Sequence, residues 1–337
     1  MPTVWFALLL VSFICLGSWV ITFKLAGKRW RFELFSLDFA LGTVLFSSIA
    51  AFTLGNIASD LPFNDRILLS SKTAQALVFS AGFIFGLANL LLLGAVSLLG
   101  IAGAFPISVG LGLIVQALLN FRSYSSGTLL AGLALLAVGV LLDAGACRSR
   151  DLAASSTKKA ANQSSGVKGV RSMRGLIVAL IGGVLFGLIY SLAEGGIYGD
   201  LGLGPYAGLL FFCAGTLIST LVFSVFFFNV ALEGPRLTVR SYFAGRPRQH
   251  LFGLAGGALW AIGILAAFLA KAAAAEIPWQ QAMTGILPFV SVLLAVLWGA
   301  LIWKEFSAAP RKAQLSLMGA AALLLGGFLL IGLAHVH

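Results

Sequence analysis

HLFGLAGGALWAIGILAAFLAKAAAAE occupies positions 250–276, and after IPW at 277–279 the chain continues with QQAMTGILPFVSVLLAVLWGALIWKEF at 280–306. Each apolar run can cross the roughly 30 Å hydrocarbon core of a bilayer, which takes about 20 helical residues. Glycines surround Trp260 in the first run, and Pro288 lies near the middle of the second. Small residues let helix backbones approach, and a mid-membrane proline frees a carbonyl that must be satisfied inside the protein. The stretch therefore predicts two packed transmembrane helices that line a solute passage.

The composition of the whole chain agrees with this interpretation. Of 337 residues, 60% are hydrophobic and only 10% are charged, whereas a soluble domain is nearer half apolar and a quarter charged. The apolar runs are continuous, so an outer-membrane barrel, which alternates apolar and polar residues, is excluded. Ten membrane spans are predicted, at 3–23, 34–55, 74–98, 104–121, 127–144, 175–194, 207–230, 250–270, 280–302 and 315–334.

Basic residues are distributed unevenly between the loops that join these spans. Eighteen of the 22 Lys and Arg residues follow spans 1, 5, 7 and 9, and the four on the other side are Arg66, Lys72, Arg122 and Lys271. Because basic loops stay on the cytoplasmic side, the chain is expected to be a multi-pass protein of the inner or plasma membrane with both termini outside. The net charge of +11 thus indicates orientation in a lipid bilayer rather than a nucleic-acid partner, with contact to anionic lipid as the alternative.

The spans fall into two blocks of five. A polar, basic segment at 147–174 is expected to be a flexible cytoplasmic linker between an N-terminal five-helix repeat (1–146) and a C-terminal one (175–337). Because five is odd, the second block must be inserted upside down relative to the first. The predicted fold is an all-α membrane protein with ten transmembrane helices in two inverted five-helix repeats, an arrangement that recurs in transporters.

A weak internal match supports the repeat. GFIFGLAN at 82–89 precedes a helix that contains Pro106, and GALWAIGI at 257–264 precedes one that contains Pro288. A proline inside a membrane helix interrupts its hydrogen bonding, so both prolines are predicted to break their helices and serve in gating.

Several polar residues lie inside the predicted spans and leave alternatives open. Asp38, one turn inside span 2, either snorkels toward water or faces the bundle as a proton or substrate site. The amides of Asn89 and Gln116 each need a partner helix, water or a ligand, because an unbonded amide in hydrocarbon costs several kcal/mol. Trp19 is either an interface anchor or a pocket wall, and Glu194 belongs either to the outer interface or to a transport site.

Transport of a small neutral polar solute is the function that these residues favour. No charged residue lies near a predicted midplane, so a charged ligand would lack a counter-ion there. Asp38 is the predicted proton-coupling residue for uptake by alternating access. The alternatives are export of a drug or metabolite and a membrane protein that transports nothing. The predicted substrate-binding residues are Trp19, Asn89, Gln116, Tyr190, Trp260 and Thr284.

The sequence lacks the patterns of an enzyme. The scattered cysteines Cys15, Cys147 and Cys213 give neither a disulfide framework nor the spacing of a metal site. No HExxH, GxSxG or GxxxxGK[ST] run is present, which disfavours hydrolases and an ATP-driven pump. We therefore predict no catalytic residue, no metal and no cofactor.

Segments along nearly the whole chain resemble one transporter family. They are LDFALGTVLFSSIAAFTLGNI at 37–57, GLANLLLLGAVSLLGIAGAFPISVG at 86–110, GLGPYAGLLFFCAGTLISTLVFSVFFFN at 202–229, HLFGLAGGALWAIG at 250–263 and VLWGALIWKEFSAA at 296–309.

These segments resemble the bacterial and plant ureide permease-like branch of the drug/metabolite transporter superfamily, which is similar to the glucose/ribose porters and rhamnose transporters. The resemblance implies ten helices in two inverted five-helix repeats. It also implies movement of ureides, nucleobases or sugars, commonly as symport with protons. By the same resemblance, Asp38 matches the acid of the family's second helix, Asn89 its third-helix asparagine and Trp260 the aromatic of its eighth helix.

Overall fold

The computed structural model describes residues 2–57, 61–124, 126–160, 166–230, 232–274 and 277–334, and no strand occurs in these ranges. A short 3-10 helix (Phe121–Ser123) precedes α8, and a π-helical turn (Trp298–Ile302) follows α13. The α-helices are α1 (Pro2–Ser18), α2 (Val20–Ala26), α3 (Phe32–Phe52), α4 (Leu54–Ile57), α5 (Phe63–Leu69), α6 (Lys72–Leu99), α7 (Ile101–Leu119), α8 (Ser126–Ala160), α9 (Gly166–Ile197), α10 (Gly204–Asn229), α11 (Val239–Phe243), α12 (Pro247–Ala273), α13 (Pro278–Leu297) and α14 (Arg311–Ala334).

Nine helical stretches of the described chain are long and apolar enough to cross a membrane. The first joins α1 to α2 (Thr3–Ala26) and the second joins α3 to α4 (Phe32–Ile57); a tenth is counted if α13 and the π-helical turn, broken at Pro288, form one span. Large apolar side chains such as Leu141 and Leu301 are exposed along these helices, as expected where lipid rather than water surrounds them. The prediction of a multi-pass, all-helical membrane protein is confirmed.

The chain divides into two compact units that each use both halves of the sequence. Unit 1 comprises Met1–Leu90 and Leu188–Pro288, and unit 2 comprises Leu91–Gly187 and Phe289–His337. These compact units are a different division from the predicted repeats, which are defined by duplication of the sequence. The boundaries of the repeats therefore stay a prediction.

In unit 1, α3 and α12 are in direct backbone contact through glycines. A methyl group on Gly42 would overlap the carbonyl of Leu254, and one on Gly257 would overlap the carbonyl of Phe39. Such contacts are typical of membrane helices, where small residues at the interface allow close packing.

The helices α6 and α10 of unit 1 meet in the same way. Gly82 lies against the carbonyl of Phe212, and Gly215 lies against the carbonyl of Phe79. Thr216 donates hydrogen bonds to the carbonyls of Gly82 (3.1 Å) and Phe212 (3.0 Å), which ties the two helices together.

In unit 2, α8 runs antiparallel to α14, with Gly132 beside Ile331 and Gly139 beside Leu324. The N-terminus of α7 is capped by Glu305, whose carboxylate accepts hydrogen bonds from the backbone N–H groups of Ile101 (3.0 Å) and Ala102 (2.9 Å). This cap places the WKEF motif at a helix start, where a negative charge is stabilised by the helix dipole.

Most of the segment 147–174, for which a flexible linker is expected, is helical in the structure. The helix α8 continues to Ala160, and α9 already begins at Gly166; residues 161–165 lie outside the described chain. Alanine, arginine and lysine are strong helix formers, so a long membrane helix can extend through such a segment beyond the bilayer.

Candidate functional site

The predicted site residues are distributed over both units. Gln116 and Pro106 belong to unit 2, and the remaining ones, Trp19, Asp38, Asn89, Tyr190, Trp260, Thr284 and Pro288, belong to unit 1. Pro106 is buried within α7, which continues on both sides of it. Pro288 lies within α13 at the point where the candidate span is broken, and its side chain lies outside the described part of the structure.

An aromatic cluster of five buried side chains occupies the middle of unit 1. The indole of Trp260 stacks on Phe85 with ring centroids 4.3 Å apart, and it lies 5.8 Å from Phe212 and 6.0 Å from Phe39. Trp19 extends the cluster, at 4.8 Å from Phe39. The structure thus brings together two of the predicted binding residues, Trp19 and Trp260, and adds three phenylalanines.

Two polar groups without partners lie beside this cluster. Asn89, one helical turn beyond Phe85 on α6, is 3% exposed, and its Oδ1 accepts no hydrogen bond from any described residue. The Oγ of Ser219 on α10 is likewise buried and unpaired, and Ser219 lies against Gly86. Buried polar atoms are nearly always satisfied, so this part of unit 1 has unused hydrogen-bonding capacity.

Asp38 is 1% exposed and lies in a network that was not predicted. Tyr242 donates to Oδ1 (2.5 Å), Nδ1 of His250 lies 2.9 Å from the same oxygen, and Trp30 donates to Oδ2 (3.1 Å). Gly253 makes room, since a methyl group there would overlap the Asp38 side chain. The Tyr242 hydroxyl and the Trp30 indole donate to Asp38, and Nδ1 of His250 is also a donor when the Asp38 carboxyl is ionised, because a carboxylate only accepts hydrogen bonds.

The Asp38 network is assembled by the second turn of α3, by Trp30 just before α3, by the first turn of α12 and by the short helix α11. Burial, together with the hydrogen bond to Asp38, raises the pKa of the Tyr242 phenol, so it stays a donor at neutral pH. The sequence offered one signal for this network: a buried acid needs donors, and His250 begins the apolar stretch of α12.

A second charged group lies near the other end of α12. Lys271 pairs with Glu194 and donates to the Tyr190 hydroxyl (2.9 Å), while its ammonium lies 5.2 Å from the Tyr198 ring centroid. It is 21 residues from His250, or about 30 Å along the helix at 1.5 Å per residue. Tyr190 therefore belongs to this charged group rather than to the aromatic cluster.

The hydroxyl of Thr284 is used within unit 1. It accepts a hydrogen bond from Nε1 of Trp5 (3.2 Å) and donates to the carbonyl of Gln280 (2.8 Å). Trp5 also contacts Trp279 edge to face, with centroids 5.2 Å apart. Thr284 thus joins α13 to α1.

Unit 2 contains three buried side chains with an oxygen that has no hydrogen-bond partner among the described residues, those of Gln116, Asp143 and Ser172. Gln116, the predicted binding residue, is 3% exposed, and its Oε1 is unpaired among the described residues. Asp143 on α8, which was not predicted, is 0% exposed, and both of its carboxylate oxygens are unpaired in the described chain. The run LLDAGAC, an acid with apolar residues on both sides, was the signal that could have identified it.

Metal-ligating side chains are dispersed. In the ranges that the structure describes, no three His, Cys, Asp or Glu residues form a group that could hold a metal ion.

Comparisons with known proteins give no family. No protein-family model matches the chain. No curated protein matches it. A solved chain titled "Crystal structure of protein" is 16% identical, with 96% of this chain and 94% of that chain covered and a TM-score of 0.48. At this identity and TM-score the likeness assigns neither family nor function.

Proposed function

We propose that this multi-pass membrane protein is a secondary active transporter of a small neutral polar solute of the ureide, nucleobase or sugar kind. In this proposal it takes the solute up together with protons by alternating access, as a member of the ureide permease-like branch of the drug/metabolite transporters. One observation carries the proposal: an aromatic cluster in unit 1 lies next to the unpaired Oδ1 of Asn89 and the unpaired Oγ of Ser219.

The position of the cluster favours a neutral ligand. Trp260 is halfway along α12, about 15 Å from His250 in one direction and from Lys271 in the other. Phe85 is likewise near the middle of α6. Aromatic faces stack on heterocycles and on the apolar faces of sugars, and a few polar atoms fix the orientation of a ligand. An ionic ligand would have no counter-ion at this depth.

Two matching sequence motifs support an inverted repeat. FALGT at 39–43 in α3 corresponds to FCAGT at 212–216 in α10, and GFIF at 82–85 in α6 corresponds to GALW at 257–260 in α12. The glycine of each motif contacts the partner helix through a backbone carbonyl, in α3 with α12 and in α10 with α6. If α3 and α12 are exchanged for α10 and α6, the same two glycine contacts between helices result.

The ring contacts follow the same exchange. Phe85 and Trp260, which are equivalent in the two motifs, stack on each other. The Phe39–Trp260 contact (6.0 Å) corresponds to the Phe212–Phe85 contact (5.3 Å). The helices α3 and α10 run in opposite directions, because Ser224 lies near Glu33 whereas Tyr206 lies near Gly55. In an inverted membrane repeat, equivalent helices run in opposite directions, as α3 and α10 do.

A ligand screen followed by flux measurement tests the proposed function. Purified protein is heated with sugars, ureides or nucleobases, and a true ligand raises the melting temperature by mass action. We expect Asn89→Leu to remove that shift and Asn229→Leu, an exposed amide at the end of α10, to retain it. Liposomes that contain the protein should then accumulate the same ligand. A ligand that stabilises the protein without crossing the membrane would refute transport.

A further inference from the structure

Asp143 is an acid inside a membrane helix, and the positive charge that acts on it is that of Arg150. It lies within the apolar stretch Gly127–Ala154 of α8. Its side chain is fully buried, and neither carboxylate oxygen has a hydrogen-bond partner among the residues that the structure describes. An isolated carboxylate in such surroundings is so costly that the group takes up a proton instead.

The basic residue whose charge acts on Asp143 is already engaged. Arg150, two turns further along α8, forms a 3.0 Å ion pair with Asp151, and its guanidinium lies 4.7 Å from the ring centroid of Phe306. Glu305 is occupied by the N-terminus of α7.

The helices packed against α8 supply little charge. No titratable residue occurs in α7, and α14 carries charge only in its first turn. The titratable or charged groups of these elements, together with those of α8 and the segment before α14, are Cys147, Arg148, Arg150, Asp151, Lys158, Lys159, Lys304, Glu305, Arg311 and Lys312.

We propose that Asp143 is a proton-binding site, neutral in the conformation described and deprotonated when the transport cycle opens it to water. The inference rests on the proposed function, because it makes Asp143 the carrier of the coupling proton. The carboxylate takes one proton from water on one side of the membrane and returns it to water on the other. With a neutral solute, one positive charge then crosses in each cycle.

Labelling with dicyclohexylcarbodiimide tests the protonated acid without any substrate. This apolar reagent adds a carboxylic acid across its C=N bond, with the acid proton passing to nitrogen, and it does not react with an ionised carboxylate. We expect mass spectrometry of the labelled full-length protein to find the adduct on Asp143, with less adduct as the pH rises and none in Asp143→Asn. An unlabelled Asp143 beside a labelled carboxyl elsewhere in the chain would overturn the proposal.

Transport by the variants tests the coupling. In liposomes with an imposed proton gradient, Asp143→Asn should lose accumulation against a concentration gradient and keep solute exchange, whereas Asp151→Asn should keep both. Proton-driven accumulation by Asp143→Asn, or its loss in Asp38→Asn instead, would overturn the assignment. If the wild-type protein moves no solute, the proposed function fails, and the labelling alone decides whether Asp143 binds a proton.

Discussion

Asp38 of unit 1 and Asp143 of unit 2 are both buried acids in membrane helices, at 1% and 0% exposure, but their surroundings differ. Three donors converge on Asp38, whereas no described residue donates to Asp143. Hydrogen bonds to a carboxylate favour its charged form, and burial without them favours the neutral form. Burial alone is therefore common to both acids, and the number of donors is what distinguishes their surroundings.

The largest effect on stability is expected from Asp38→Ala. It leaves the donors of Trp30, Tyr242 and His250 without their acceptor, and an unmet donor costs about 1–3 kcal/mol where it is buried, as that of Trp30 is. We expect the free energy of unfolding in detergent to fall by about 3 kcal/mol. The exposed Asp65→Ala is the matched control and should leave it nearly unchanged. A loss as small as that of the control would show that the network does not hold α3 and α12 together.

A smaller loss is expected from Glu305→Ala in unit 2. Here a carboxylate also has donors, but they are two backbone N–H groups at the start of α7. Removal of a helix cap costs about 1 kcal/mol. Unfolding measurements should give this value, and hydrogen exchange should speed up at Ile101 and Ala102. Glu305→Gln, which keeps one acceptor oxygen, should lose less; equal losses would mean that the cap contributes only its charge.

The sequence predicted the helices well because their signal is local. About 20 continuous apolar residues specify a membrane span wherever they occur, and ten such runs agree with the nine or ten candidate spans. The segment at 147–174 is polar, which predicts a flexible linker, yet its alanines, arginines and lysines also favour helix, and α8 extends to Ala160.

The site was predicted only in part because its contacts are long-range. Asp38 and Trp260 were identified as an intramembrane acid and an aromatic residue, but His250 is 212 positions away from Asp38, and no periodicity links them. Asp143 was missed for a different reason. The predicted span 127–144 places Asp143 at its edge, whereas α8 continues to Ala160 and the Asp143 side chain is buried.

Asp143→Asn should change stability less than the two preceding variants. If Asp143 is neutral and unpaired, a neutral amide of nearly the same shape replaces it, and volume-conserving buried substitutions usually cost less than about 1.5 kcal/mol. We expect a change below about 1 kcal/mol by the same unfolding measurement. A loss as large as that of Asp38→Ala would mean that the carboxylate is charged and held by partners.

The smallest effect is expected from Glu194→Gln, which sharpens the comparison by adding an acid that is only half-buried. Glu194 pairs with Lys271 but is 42% exposed, so water solvates both charges and screens their attraction. Exposed ion pairs contribute about 0.2–1 kcal/mol, and we expect a loss of about 0.3 kcal/mol that disappears at high salt. Lys271→Met should lose more, because it also removes the hydrogen bond to Tyr190. A loss of stability from Glu194→Gln as large as that from Asp38→Ala would show that solvent exposure does not weaken a carboxylate's contribution to stability. The difference between Asp38 and Asp143 would then need a cause other than the number of their donors.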